Sequence, residues 1–246
     1  HRLNENSVLT YMIGAETQES KRYRYTYAYD NDQGQTIENN IYVNVPGPLF
    51  DNKELLDSLK LDNQIPEERY TFASVFGRIN YSYKDKYVAQ MVVRGDGSSK
   101  FGPERRWGFF PSLGVGWILS EEDWLSSSKT LNYLKLKGSV GYTGNAAFPP
   151  DQWRGNWSRN GQYNNGNILY PIVLPNEFLQ WENTRSIDFG LEYGLFNDRI
   201  TRELSYYNKM SDKVLINVTI PRAFGFANKW DNVAEITNQG IELVLR

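Results

Sequence analysis

Cysteine is absent from the 246 residues, and histidine occurs once, at position 1. Without thiols there are no disulfides, thiolate nucleophiles, zinc-thiolate sites or iron–sulfur clusters, and the redox compartment stays undecided. A lone terminal His1 gives no basis for a catalytic triad, for imidazole acid/base chemistry or for a His-ligated metal, so no metal or cofactor is expected. An excess of one charge is missing too. Lys+Arg number 27 against 29 Asp+Glu, a net charge of −2 that carries no footprint for nucleic acid or an anionic membrane surface. No run of about 18 uncharged apolar residues occurs, and mean hydropathy is −0.60, so no transmembrane helix is expected. Strands of a membrane barrel pass this test, because only alternate residues face lipid. No signal peptide is visible, and a chain opening on His1 reads as an internal or processed piece.

What is present is aromatic and alternating. Aromatics make up 15% of the chain, too many for a disordered segment. A two-residue period marks about eight strands: 8–15, 70–83, 87–94, 109–119, 131–143, 185–195, 200–210 and 240–246. In the second and third, Ala73, Val75, Gly77, Ile79, Tyr81, Tyr87, Ala89, Met91 and Val93 form an apolar row opposite Ser74, Arg78, Asn80, Gln90, Arg94 and Asp96. The fourth and fifth set Leu113, Val115, Trp117, Leu134, Leu136, Val140 and Tyr142 against Ser112, Lys135, Lys137 and Ser139.

Connections alternate in kind. Those at Lys84 to Lys86, Ser120 to Thr130 and Phe196 to Asp198 are short or moderate, whereas 17–69, 95–108, 144–184 and 211–239 are long and polar. The stretch 17–69 is expected to be a long loop with one short helix at Asp51 to Leu61, where Leu55, Leu56 and Leu59 share a face. The stretch 144–184 is expected to be a long aromatic-rich loop. Short turns at one end and long loops at the other are the habit of outer-membrane barrels and uncommon in compact soluble domains. A soluble antiparallel sandwich shows the same alternation along its strands, so periodicity alone leaves both architectures open.

Particular strings favour the first of these, the barrel. Arg94-Gly95-Asp96-Gly97-Ser98-Ser99-Lys100-Phe101-Gly102 is followed by Trp107, Phe110-Pro111-Ser112, Gly116-Trp117, Ser120-Glu121-Glu122 and Trp124. Then come Leu134-Lys135-Leu136-Lys137-Gly138-Ser139-Val140-Gly141-Tyr142-Thr143-Gly144-Asn145, Trp181-Glu182, Asp188-Phe189-Gly190-Leu191-Glu192 and Asn238-Gln239-Gly240-Ile241-Glu242-Leu243. This ordered series, covering most of 70–246, resembles the SusC-like (RagA-type) TonB-dependent transporters of the Bacteroidetes outer membrane.

The resemblance implies an all-β, antiparallel transmembrane β-barrel segment, about eight strands of a larger barrel of about 22, with long extracellular loops and short periplasmic turns. At about 31 residues per strand a full barrel needs roughly 680 residues. All of 1–246 is therefore expected to be part of the barrel domain, with plug and closing strand absent. An isolated arc would leave two unpaired edges that cannot face hydrocarbon. The resemblance also implies import rather than enzymatic catalysis, with oligosaccharides or peptides as substrate, a SusD-like surface lipoprotein as lid, TonB as energy source through the missing plug segment, and outer-membrane lipid around the wall.

Candidate residues follow from these expectations. Arg94 and Asp96 lie two apart and so share the polar face, where a salt bridge tying the wall to plug or loop is favoured over a charged-ligand site. The turn Asp96-Gly97-Ser98-Ser99 lacks the ligand series of a calcium loop. Glu121-Glu122-Asp123 are adjacent, unlike the opposed carboxylates of a glycosidase, and Ser120 as N-cap of a helical turn accounts for them. The substrate-contact candidates are Trp153, Arg154, Trp157, Arg159, Tyr163 and Tyr170, aromatic faces and cations spaced among Asn and Gly. The remaining alternative, a secreted β-sandwich binding carbohydrate, requires the Leu134, Leu136, Val140, Tyr142 row to pack on a second sheet.

Overall fold

The computed structural model describes residues 2–30, 36–46, 68–128, 130–155, 157–163, 166–171, 173–196, 199–226 and 228–245, with backbone alone at 2–3, 23–30, 36–46, 157–163, 166–170 and 222. Its strands are β1 (Arg2–Asn4), β2 (Ser7–Asp30), β3 (Thr36–Pro46), β4 (Glu68–Tyr83), β5 (Tyr87–Ser98), β6 (Trp107–Ile118), β7 (Leu131–Asn145), β8 (Trp157–Tyr163), β9 (Gly166–Pro171), β10 (Glu182–Leu195), β11 (Ile200–Thr219) and β12 (Asn228–Leu245). One sheet runs β1-β2-β4-β5-β6-β7-β10-β11-β12, with β3 paired to the far part of β2, and β8 with β9 form a separate hairpin. Eight of these strands are long, all pairings are antiparallel, and the long ones follow one another in chain order, an up-and-down meander.

Register sorts the side chains into two faces. Cross-strand partners Leu9, Tyr81, Ala89, Val115, Gly138, Phe189, Tyr206 and Ile241 form one apolar row, and the adjacent row of Thr10, Asn80, Gln90, Gly114, Ser139, Asp188, Tyr207 and Gly240 is polar or small. The apolar face is bare: Ile13, Val75, Phe109, Phe189 and Ile241 are each more than half exposed. Among the described residues no second sheet packs on it, and Leu136, Val140 and Tyr142 lie open, which removes the sandwich alternative.

The apolar band crosses the ladder obliquely. On β6 it runs from Trp117 through Val115, Leu113, Pro111 and Phe109 to Trp107, whereas on β12 it holds Leu245, Leu243 and Ile241 before giving way to Gln239 and Thr237. A level belt drawn round strands tilted about 35–45° must slant this way across their register.

Two of the expected connections need correction. The loop expected over 17–69 is partly strand, since β2 continues to Asp30 and pairs with β3 from Ser20 opposite Pro46 to Asp30 opposite Thr36. The helix expected at Asp51 to Leu61 lies outside the described residues. The connection expected over 211–239 shrinks to 220–227, because β11 reaches Thr219 and β12 begins at Asn228. Both extensions carry a two-residue period, Tyr23, Tyr25, Tyr27 and Tyr29 in β2 and Val214, Ile216 and Val218 in β11, set within polar stretches that read as connections. Ser120 is not an N-cap: it sits inside the 3-10 turn Leu119–Glu121, and its hydroxyl is buried without a partner.

At the short-turn end Lys84 and Asp85 both take positive φ (52° and 54°), with Lys86 N–H donating to Tyr83 O at 3.1 Å. Two successive positive φ values make a primed turn, set here in a three-residue connection because Tyr83 pairs with Tyr87.

Candidate functional site

The polar face carries an arginine held on three sides. Arg94 Nε donates to both carboxylate oxygens of Asp96 at 2.7 and 2.9 Å, and Nη2 donates to Ser74 Oγ at 2.9 Å. Ser74 is the cross-strand partner of Asp96, and Phe76, the partner of Arg94, has its ring centroid 5.6 Å from the guanidinium carbon. Two-residue spacing puts both charges on one side, and the neighbouring strand supplies the rest. The bridge therefore closes within the wall, β5 to β4, rather than reaching out to a loop. Glu16 on β2 stands 4.0 Å from Nη2 with its carboxylate largely open.

Above this pair lies a hollow of about 520 Å³, lined by Glu16, Arg94 and Asp96 together with Phe72, Phe110 and Trp181, Phe110 being the cross-strand neighbour of Arg94 on β6. Charged groups fixed by one another beside aromatic faces can hold a polar ligand that has an apolar edge. Lower on the same face Lys137 joins three strands, its ammonium 2.6 Å from Glu192 and 2.5 Å from Glu203.

The long connections pack together over this hollow. Phe101 and Leu179 are fully buried, joined by Ala146, Phe148 and Leu215, with Phe72, Trp153, Trp181 and Trp230 around them. The residues come from the 99–106 connection, from the 146–181 connection, from the start of β4 and from the upper parts of β11 and β12. Lys100 fastens the first two: its ammonium donates to Ala146 O at 3.1 Å and Phe148 O at 2.9 Å, and lies 4.5 Å over the Tyr70 ring. Burial pushes its pKa down.

Of the substrate-contact candidates, Trp153 is packed against this core with its indole nitrogen unpartnered. Arg154 lies over the Trp153 ring at 4.6 Å and is 3.8 Å from Asp151. Trp157 and Arg159 fall on β8, Tyr163 closes it, and Tyr170 falls on β9; their side chains lie outside the described ones. The structure thus brings Trp153 and Arg154 to the rim of the packed loops and places the other four on a hairpin. Sequence reasoning missed Lys100, Phe101 and Leu179, for which an apolar pair of positions in otherwise polar connections was the available signal.

At the opposite end the acidic cluster has one working member. Glu122 accepts from the Tyr87 hydroxyl at 2.6 Å and from Trp117 Nε1 at 3.0 Å, and Lys86 is 3.5 Å away. The Tyr87 hydroxyl first, then the Trp117 indole, hold its carboxyl below the usual range. Tyr83, Tyr87 and Trp117 stack in series, 6.3 and 6.0 Å between centroids, forming an aromatic rim to the apolar band.

The family model for the TonB dependent receptor-like β-barrel matches residues 2–246. TonB-dependent receptor P26 of Formosa agariphila is 40% identical over 181 residues, 72% of this chain and 18% of that protein. TonB-dependent receptor SusC of Bacteroides thetaiotaomicron is 37% identical over 184 residues, 71% of this chain and 18% of that protein. The structure of the RagAB peptide transporter superposes with a TM-score of 0.77 and 25% identity, over 99% of this chain and 26% of that one. This chain spans about a fifth of the length of the curated relatives it matches. It belongs to the TonB-dependent receptor β-barrel family, SusC-like, a family of outer-membrane transporters and receptors rather than of enzymes. The bare apolar face is accordingly the lipid side of a partial barrel wall, and the polar face is the lumen.

Proposed function

We propose that this chain is wall and outer loops of a TonB-dependent importer that takes up oligosaccharides through a lumen capped by a SusD-like lipoprotein. The observation that carries the proposal is the hollow of about 520 Å³ beneath the packed outer loops, whose lining Arg94, Asp96 and Glu16 share with Phe72, Phe110 and Trp181. Aromatic faces beside balanced polar groups suit a hydroxyl-rich ligand, which stacks on rings and hydrogen-bonds at its rim. Trp153, Arg154, Trp157, Arg159, Tyr163 and Tyr170 would add contacts from the loops. The Arg94 and Asp96 pair would hold the wall beneath them. Energy would come from TonB pulling on a plug segment.

Peptides are the second reading, supported by the likeness to RagAB, whose description is that of a peptide transporter. The test is uptake by cells producing the intact transporter, with and without its gene and with and without TonB. Labelled oligosaccharides entering only when both are present is the expected result. Uptake of labelled peptides alone would replace the substrate, and uptake of both labels undiminished by loss of either gene would overturn the proposal.

A further inference from the structure

One cation on the lipid side has no charged partner among the described residues. Alternation along β10 puts Arg185 on the same side as Ile187, Phe189 and Leu191, while Ser186 and Asp188 line a hollow of the lumen face. Its cross-strand partners are Tyr142 on β7 and Met210 on β11. The apolar band ends at this height: on β11 it stops at Tyr206, with Asn208 next on that side. Arg185 therefore stands at the rim nearer the long connections, the outer end of an outer-membrane barrel.

The guanidinium is poorly satisfied. Its one contact among the described residues is Nη2 to Met210 Sδ at 3.8 Å, and Nε is shut off from solvent with no hydrogen-bond partner. No carboxylate among the described residues lies within ion-pair distance of it, and Asn183 two positions above likewise has a buried, unpartnered Oδ1. Five N–H donors in a planar fork are thus presented almost unused. Facing hydrocarbon, an arginine is costly near the bilayer midplane but close to neutral at the interface, where a phosphate can take its donors in pairs.

We propose that Arg185 is the anchor of a binding site for a phosphorylated glycolipid of the outer leaflet, the guanidinium gripping a lipid phosphate while Tyr142 and Met210 flank the head of the acyl region. The occupant follows from charge complementarity: the cation is single, unpaired and set where the apolar band meets the headgroups. The inference rests on family membership and not on the import reading, so either can fail alone.

The test uses the intact transporter, delipidated in detergent and placed in phosphatidylethanolamine nanodiscs with either bis-phosphorylated lipid A or the same lipid A stripped of phosphate. Lipid retained on the barrel is measured by native mass spectrometry. The wild type should retain the phosphorylated form about tenfold more than the stripped form, Arg185→Gln should lose that preference, and Arg185→Lys should keep part of it. Equal retention of the two lipids by the wild type would overturn the site, with no need for a variant to fold. So would an undiminished preference in Arg185→Gln, or crosslinking of position 185 to a neighbouring protein in native membranes.

Discussion

The Phe110 ring lies against Gly144 of the adjacent strand, so that a Cβ at Gly144 would overlap it. The ladder between β6 and β7 stops at Ser112 and Gly141, and just beyond it Phe110 fills the space over Gly108 and Gly144 with its edge to Trp181 at 5.6 Å. Gly144→Ala should push the ring toward the lumen hollow and lower the stability of the intact transporter by about 1–3 kcal/mol. Gly77→Ala is the control: its Cβ would meet only Met12 O, at 3.8 Å. It should be neutral or stabilising by about 0.5 kcal/mol in the same thermal melt.

Lys100 is the fastening between two outer connections. Lys100→Met keeps the bulk among Tyr70, Phe72 and Phe148 but leaves the carbonyls of Ala146 and Phe148 without their donor. A loss of about 1–2 kcal/mol is expected, together with faster proteolytic cleavage within 146–181. Unchanged cleavage would mean that the two connections hold together without it.

The substrate role of the aromatic connection is separable from its packing role. Trp153→Ala opens a cavity in the loop core and should cost stability by about 3 kcal/mol. Trp157→Ala should instead lower substrate affinity about tenfold with the melting point unchanged. If Trp153→Ala and Trp157→Ala together leave uptake affinity as it was, these residues do not touch substrate.

Glu122 predicts an acid-sensitive short-turn end. Its folded pKa lies below the ordinary 4.5, so the unfolded chain binds the proton more readily. The contribution is present in full above that ordinary value and fades as pH falls through the folded one. The wild-type melting point should therefore drop more steeply below pH 4.5 than that of Glu122→Gln. Parallel curves would show that Tyr87 and Trp117 bond the amide as well as they bond the carboxylate.

Arg94 and Asp96 should behave as one unit. Asp96→Asn and Arg94→Gln are each expected to cost about 1 kcal/mol, a modest figure because the arginine is partly open to solvent. The double variant should cost less than the two together. Strict additivity in the melts would show that the pair contributes nothing jointly.

Sequence alone determined the eight long strands, the two faces and the end that carries the short turns. Each is a local consequence: Val75, Ile79 and Tyr81 alternate with Ser74, Arg78 and Asn80 because every second side chain of a membrane strand meets lipid. Beyond the apolar band the period persists as Tyr23, Tyr25, Tyr27 and Tyr29 in β2 and Val214, Ile216 and Val218 in β11, but polar surroundings made both extensions read as loop although backbone pairing makes them strand. The loop core was invisible for a different reason. Phe101, Phe148, Leu179 and Leu215 are far apart in the chain, and only the pairing of the strands between them brings them together. That Arg185 has no carboxylate beside it was likewise decided in three dimensions, because register on both neighbouring strands set Tyr142 and Met210 next to it.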